Sequence, residues 1–574
     1  MKRTVALLVL ALTGCGPGTA DLVLRGGHVV TVDSTLPEAE AVAVRGDRIL
    51  AVGTDEEIAP YIEDDTRVIE LEGRLLVPGF IEGHGHYMGV GNAQLNLDLT
   101  RARTWDDIVA MVDSAAAEAA PGEWILGRGW HQEKWDGVPE GAVEGVPTHR
   151  ALSAAAPENP VLLTHASGHA AIANARALEL AGIDRDYTPP EGGEVVRDAS
   201  GEPTGLLREN AQDPVGDALA RSRAEQTPEE RGAHFDRVVQ LAGQDLLSKG
   251  ITSFHDAGAS FSTIDGFRRL AEAGRLPVRL YVMVREPNEA LEENLADYRM
   301  VGVGNNFLTV RSIKKQIDGA LGAHGAWLLE PYTDMPSRTG LVLEPVDEIE
   351  RTAQLALEHD FQLSIHAIGD RANREVLDIY QAAFEGTSNG SASADQDGDR
   401  RWRIEHAQHL HPDDIDRFAE LGVIAAMQTI HGTSDAPWVP KRLGEKRAAE
   451  GAYRWQDLWR SGAVVANGTD APVEDANPIP SYWAAVSRML PDGTRFDPDQ
   501  RLTREQALRS YTINNAYAAF EEDIKGSITP GKLADLVVLD RDILTAPEDE
   551  VRGAGVLYTI LGGEVVFERG ASGG

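Results

Sequence analysis

Residues 77–86 read Val-Pro-Gly-Phe-Ile-Glu-Gly-His-Gly-His, and this stretch decides how the rest of the chain is interpreted. An apolar, strand-forming run leads directly into His84 and His86. Side chains at positions i and i+2 of an extended chain project from the same side, so both imidazoles can reach one metal ion. The pair alone is weak support, because 16 histidines produce chance pairs. Its value depends on what other strands bring to the same place.

Short apolar runs alternate with helical-period segments through the middle of the chain, which is typical of a parallel β-sheet. We predict an α/β fold with a (β/α)8 TIM-like barrel domain over residues 78–520. The segment of about 92–247 is too long for one crossover, so we expect an insertion after the first barrel strand that covers the mouth. The eight predicted strands are residues 75–81, 251–254, 278–284, 308–317, 362–365, 402–404, 423–427 and 463–466.

Both ends of the chain that flank the barrel are rich in short, alternating or β-branched runs. Turn signals such as Arg25-Gly26-Gly27 and Gly562-Gly563 separate these runs. Residues 21–77 and 525–570 are therefore predicted to form one composite β-sandwich domain from both termini.

The first 15 residues have the features of an export signal. A basic start is followed by an apolar run at 5–12, too short to span a bilayer, and by small residues before Cys15. The placement of Cys15 resembles the lipobox of bacterial lipoproteins, in which this residue is lipidated. We expect a periplasmic, outer-membrane-anchored or cell-surface lipoprotein that contacts the membrane only through this anchor. The alternative is an ordinary cleaved signal with an incidental cysteine.

Composition excludes several classes of protein. Acidic residues outnumber basic ones by 91 to 54, and a net charge of −37 argues against nucleic-acid binding. Cys15 is the single cysteine, so the chain has neither an internal disulfide nor a thiolate zinc site. Any metal must be held by His, Asp, Glu or a modified Lys. A homodimer is left open.

Three further predicted strands end in metal-binding side chains. His366, His406 and Asp470 each follow the last residues of a strand, as His84 and His86 do. Active sites of barrel enzymes lie at the carboxyl ends of the strands, so these five side chains are predicted to converge. Each residue alone is more simply a buried core histidine or a helix-capping aspartate. Together they favour a metal site.

Two lysines stand inside an apolar strand. Lys314 or Lys315 must pair, leave the barrel sideways or lose its charge, and carboxylation by CO2 would convert the amine into an anionic oxygen ligand. Strand alternation allows only one of them to point inward, and the spacing does not tell which.

With these motifs, the chain resembles the metal-dependent amidohydrolase superfamily, specifically the amidohydrolase-3 branch with YtcJ-like proteins and N-substituted formamide deformylases. The similarity covers nearly everything after the signal. It is carried by the opening Ala-Asp-Leu-Val-Leu-Arg-Gly-Gly and by residues 77–86, 127–130, 168–170, 318–322, 329–334, 366–370, 404–408, 468–472 and 528–539.

The resemblance implies a site that holds one or two divalent ions, with Zn²⁺ expected. It implies that His84 and His86 bind one metal, that His366 and His406 bind a second, and that the carbamate forms on Lys314. Asp470 would be both ligand and proton shuttle, with His431 or His169 stabilising the oxyanion. The implied reaction is hydrolysis of a non-peptide C–N bond in a small amide, formamide or cyclic amide by metal-activated hydroxide.

Several residues depart from the family pattern or come from the insertion. Glu82, His131, Ser167 and His324 replace more usual residues and are expected to line the substrate pocket, while Trp130 and Glu209 could shape it. For Trp130 and Glu209 the competing interpretations are core packing and a solvated face. Two other functions remain open: a deaminase or ester/phosphoester hydrolase of the same superfamily, and a non-catalytic binding lipoprotein.

Overall fold

The computed structural model describes residues 18–387 and 399–570. The predicted signal, including Cys15, lies outside the described residues, so lipidation stays a prediction. Among the helices of the described residues, none combines the length and apolar character that a membrane span requires.

Eight parallel strands form a nearly closed barrel, which confirms the predicted fold class. Each strand pairs in parallel with the next, and Gly85 at the end of the first forms a bridge to Ala471, which follows the last. The strands are β1 (Phe80–Gly85), β2 (Ile251–Ala259), β3 (Arg279–Val284), β4 (Leu308–Gln316), β5 (Gln362–Ala367), β6 (Arg403–His406), β7 (Ile424–Met427) and β8 (Val465–Asn467). A short strand, Met300–Gly302, pairs antiparallel with β4.

The prediction that residues 75–81 form a single barrel strand was wrong. Leu75–Pro78 pairs antiparallel with Leu536–Leu539 in the β domain, and only β1 belongs to the barrel. The chain changes sheet at Gly79, where a Cβ atom would lie 2.3 Å from Oγ1 of Thr252. One apolar run therefore supplies strands to two different sheets.

The β domain contains two sheets. One is built from residues near the amino terminus alone, with strands Leu22–Arg25, Ala41–Arg45, Arg48–Gly53 and Arg67–Glu70. The other joins both ends of the chain, with strands His28–Val30, Glu38–Ala39, Leu75–Pro78, Leu536–Leu539, Val556–Leu561 and Glu564–Glu568. Apolar side chains of both sheets, such as Leu24 and Val538, are fully buried in a shared core.

The segment between β1 and β2 carries a six-stranded sheet of its own. Its strands are Leu97–Asp98, Ile125–Trp130, Val161–His165, Ala170–Ala173, Gly193–Arg197 and Pro203–Glu209. The last helix before β2, Pro228–Ser248, packs against Tyr87–Ala93 and belongs to the barrel. The inserted part therefore ends earlier than the predicted boundary near residue 247.

Helices cover the outside of the barrel and the insertion. Those of the insertion are Trp105–Glu118, Arg150–Ala155, Ala175–Ala181 and Asp213–Ala224. Those that follow β2 to β6 are Phe261–Glu272, Asn288–Tyr298, Val346–Glu358, Asp370–Thr387 and Ile415–Leu421. Those after β7 and β8 are Thr429–Ser434, Val439–Leu443, Glu445–Gly451, Trp455–Ser461, Pro478–Ser487, Arg504–Ser510 and Ile513–Ala518. Short helices elsewhere are Asp55–Ile58, Val303–Asn306 and Glu548–Val551.

Candidate metal centre

Three predicted ligands meet where β1 and β8 end. One donor atom from each of His84, His86 and Asp470 lies within 4.8 Å of the other two. Oδ1 of Asp470 is 3.5 Å from Nε2 of His84 and 3.1 Å from Nε2 of His86. Two imidazoles and a carboxylate at this separation form a donor set suited to a divalent ion.

Backbone hydrogen bonds fix this arrangement. The Asp470 amide donates to the carbonyl of His84 at 2.8 Å, and the His86 amide donates to the carbonyl of Ala471 at 2.7 Å. Asp470 has a φ of 57°, in the left-handed region that non-glycine residues rarely occupy. Such strain persists where the surrounding structure over-determines the residue, which is common at functional sites.

The next two histidines continue the cluster across the barrel. The ring centroid of His406 lies 4.6 Å from that of His84 and 4.4 Å from that of His366. Nδ1 of His406 is 2.8 Å from Oε1 of Gln428, so it donates there and leaves Nε2 free. All five predicted side chains from four strand ends are therefore brought together.

The structure separates the two lysines of β4. Nζ of Lys315 lies 3.1 Å from the Glu344 carboxylate and donates to the carbonyl of Glu286 at 3.2 Å, away from the histidines. Lys314 is buried, and its charge interacts with Glu405 and Asp470. Burial lowers the pKa of Lys314 to about 8. Of the two, Lys314 is thus the lysine that faces the cluster.

Two ring nitrogens of the histidine cluster have no hydrogen-bond partner among the described residues, which bears on whether a metal ion fits there. Nε2 of His84 and Nε2 of His366 are buried and have no hydrogen-bond partner among the described residues. Burial lowers the pKa of His84 to about 4, so its imidazole is neutral, the form that binds metals. Buried polar atoms left without a partner cost free energy, and a cation would satisfy them. The residues present fit a divalent ion.

Two more predicted histidines flank the cluster. Nε2 of Gln408 is 3.2 Å from Nδ1 of His431, and the Nε2 atom of His431 has no partner among the described residues. Nδ1 of His169 is 2.7 Å from Oε2 of Glu209. Burial lowers the pKa of His169, but the Glu209 carboxylate outweighs it, and the net shift is upward.

His169, His406, His431 and Asp470 line a cavity of about 640 Å³ between the barrel and the insertion, whereas His84, His86 and His366 are not among the residues that line it. Trp130, although it packs in the insertion core and donates to the Leu163 carbonyl at 2.8 Å, contributes to the wall. Glu82 and Glu209 were also predicted to line or shape the pocket, but neither is among the residues that line it. The predicted site residues that do are Trp130, His131, Ser167, His169, His324, His406, His431 and Asp470.

The two glutamates instead support their neighbours. Glu82 is completely buried and accepts hydrogen bonds from the Thr469 amide at 2.6 Å and the Thr469 hydroxyl at 3.0 Å. It therefore holds the turn that presents Asp470. Glu209 likewise orients His169 through its contact with Nδ1 of that ring, without lining the cavity itself.

A profile described as the amidohydrolase family matches residues 67–567 of this sequence. The chain belongs to the amidohydrolase family. Membership in this family, predicted above from the motifs, is thereby confirmed. With its barrel and ligand set, the chain is an amidohydrolase-family hydrolase.

Relatives align over nearly the whole chain. It is 34% identical to Protein LONG AFTER FAR-RED 3 of Arabidopsis thaliana, with 96% of this chain and 92% of the relative covered. It is 30% identical to the putative amidohydrolase YtcJ of Bacillus subtilis, with 95% and 99% covered. It is 29% identical to the N-substituted formamide deformylase of Arthrobacter pascens, with 96% and 99% covered.

A solved structure shares the same architecture. The chain resembles an uncharacterized metal-dependent hydrolase from Pyrococcus horikoshii OT3 with a TM-score of 0.73 and 26% sequence identity. The similarity covers 92% of this chain and 99% of that chain. Metal dependence in that protein agrees with the donor set found here.

Four supporting residues of this amidohydrolase were not identified from the sequence. Asp318 accepts hydrogen bonds from the amides of Trp327, Ile368 and Gly369 and lies 3.6 Å from Nε2 of His366. The other three are Arg403, Glu405 and Gln428. Glu405 contacts Nδ1 of His84, Arg403 binds Glu405, and Gln428 accepts a hydrogen bond from Nδ1 of His406. A charged residue inside a short apolar strand was the available signal for Arg403 and Glu405.

Proposed function

We propose that this chain is a metal-dependent hydrolase that cleaves a non-peptide C–N bond in a small amide, formamide or cyclic amide. The observation that carries the proposal is the convergence of His84, His86 and Asp470 within 4.8 Å beside a cavity of about 640 Å³. A cavity of this size accepts a small molecule and is lined by aromatic and polar side chains. The similarity to an N-substituted formamide deformylase supports the type of bond.

The ligand set would hold Zn²⁺ through His84, His86 and Asp470, with His366, His406 and a carbamate on Lys314 available to a second ion. A bound divalent ion supplies Lewis acidity and lowers the pKa of a water molecule that it binds. Burial lowers the pKa of Lys314, which increases the neutral amine fraction that reacts with CO2.

Asp470 is placed to move protons during hydrolysis. Burial alone would raise its pKa, but the hydrogen bond with His86, together with the other histidines nearby, outweighs burial and holds the pKa well below the ordinary range. Asp470 is therefore ionised, and we assign to its carboxylate the role of accepting a proton from the attacking water. The same carboxylate then delivers that proton to the departing nitrogen.

The cavity histidines orient the scissile carbonyl. Gln408 donates to Nδ1 of His431, so Nε2 of His431 carries the hydrogen and donates to the developing oxyanion. His169, with its pKa raised by Glu209, supplies a second hydrogen bond to the same oxygen. Residues of the insertion, among them Trp130 and His131, form part of the wall of this cavity.

The test is a substrate screen on zinc-reconstituted protein with N-formyl, N-acyl and cyclic amides, together with esters, phosphoesters and aminopurines. We expect release of amine from at least one amide class. Exclusive ester, phosphoester or purine turnover would replace the proposed reaction by the alternative one, and no turnover would favour a binding protein.

Substitution of proposed ligands tests whether a measured activity depends on the proposed metal centre. His84→Ala and His366→Ala should each reduce bound zinc and abolish hydrolysis. His409→Leu is the matched control, since His409 is also a buried histidine but packs against Tyr453 and does not belong to the group of proposed ligands. Wild-type turnover in both alanine variants would contradict the proposed site.

A further inference from the structure

Strand β6 places two ionised side chains directly behind a proposed metal ligand. Arg403 and Glu405 are both fully buried, and Nε of Arg403 lies 2.7 Å from Oε1 of Glu405. The second carboxylate oxygen of Glu405 contacts Nδ1 of His84. This buried ion pair plays no part in the mechanism above.

The contact decides which nitrogen of His84 carries the hydrogen. An ionised carboxylate accepts hydrogen bonds only, so Nδ1 of His84 must donate to Glu405. The hydrogen on Nδ1 leaves Nε2 with a free lone pair. That Nε2 atom has no hydrogen-bond partner among the described residues and lies 3.5 Å from Oδ1 of Asp470.

Arg403 fixes the carboxylate and the adjacent backbone at once. Its Nη2 atom donates to Oε2 of Glu405 at 3.0 Å and to the carbonyl of Gly83 at 2.7 Å. Its Nη1 atom lies 3.1 Å from Nδ1 of His255. One guanidinium thus ties β6 to the residue that immediately precedes His84.

We propose that Glu405 and Arg403 are positioning residues that hold His84 in its Nδ1-protonated form and so prepare Nε2 to bind the metal. The inference rests on the proposed metal site and adds the means by which the chain preorganises it. His406 provides a comparison, because its Nδ1 is held by the neutral amide of Gln428 instead. Carboxylate support makes an imidazole a more basic ligand, and its loss typically weakens metal binding about 10- to 100-fold.

The experiment compares Zn²⁺ dissociation constants of the full chain by competition with a chromophoric chelator, and the absorption spectra of the Co²⁺-loaded proteins. Glu405→Gln should weaken Zn²⁺ binding about 10- to 100-fold and change the Co²⁺ spectrum. Glu405→Asp, which keeps the charge, should lose less affinity than Glu405→Gln.

Asp535→Asn is the matched control. Asp535 forms a buried pair with Arg279, with Nε to Oδ2 at 2.7 Å, at the amino-terminal end of β3 and away from the cavity. This variant should lose stability but keep the wild-type Zn²⁺ affinity and Co²⁺ spectrum. An equal loss of affinity in Asp535→Asn would show that the effect is general destabilisation and would overturn the inference.

A folded Glu405→Gln variant with wild-type Zn²⁺ affinity would also overturn it. If that variant does not fold, Arg403→Met/Glu405→Gln removes both buried charges and must show the same loss, and wild-type affinity in it refutes the inference. Absence of Zn²⁺ binding by the wild-type chain would instead refute the proposed metal site itself.

Discussion

The burial of His409 predicts how much the free energy of unfolding falls in acid. Its side chain is buried, both ring nitrogens lack a hydrogen-bond partner among the described residues, and its ring packs edge-on against Tyr453. Burial lowers its pKa from 6.5 to about 3. The folded chain therefore keeps His409 neutral, whereas the unfolded chain takes up a proton below pH 6.5. The stability that depends on this difference is complete above pH 6.5 and is lost as the pH falls toward 3.

The loss is about 1.4 kcal/mol per pH unit, so the contribution of His409 changes by about 3 kcal/mol between about pH 7.5 and about pH 4.5. His409→Leu removes the titrating group and a similar volume is retained. We expect the difference in free energy of unfolding between wild type and variant to shift by this amount in favour of the variant at the lower pH. Urea unfolding in the presence of a chelator measures it. A difference that is the same at both pH values would refute the reasoning.

Three further predictions concern packing, metal and protonation. Gly79→Ala should cost about 1–3 kcal/mol in urea unfolding, because its Cβ would lie 2.3 Å from a Thr252 atom, whereas Gly232→Ala, in an open helical position, should not destabilise. Zinc at 100 times its dissociation constant should raise the free energy of unfolding by about 2.7 kcal/mol, and a chelator should remove this gain. Glu209→Gln removes the group that raises the pKa of His169, so the limb of the kcat/KM profile that His169 controls should move to lower pH. An unmoved profile would exclude that role for the pair.

The barrel was predictable because most of its strands are buried on both faces and contain a short apolar run, even where charged side chains interrupt it. The error at residues 75–81 has the same origin, since the run continues across Gly79 although the chain passes from one sheet to another. Periodicity reports burial, and it does not report which sheet buries a residue. Only the pairing with Leu536–Leu539, far along the chain, resolves the two strands.

The site was predictable in its ligands and less so in their support. His84, His366 and Asp470 follow strand ends, and barrel geometry alone predicts that such residues converge. The orientation of Lys314 against Lys315 required the position of Glu344, which lies in a loop that the spacing does not place. Contacts such as the one between Lys315 and Glu344 depend on how distant segments pack, which the sequence pattern does not reveal.

We expect the side chains at the barrel mouth to bind a divalent ion. Anomalous diffraction at the zinc edge, from crystals of the full chain grown with Zn²⁺, locates such an ion without reference to activity. A peak should lie at about 2 Å from Nε2 of His84 and from Nε2 of His86, in contact with the Asp470 carboxylate. A zinc-saturated crystal whose anomalous peaks all lie elsewhere, with these side chains bound to one another, would contradict this expectation.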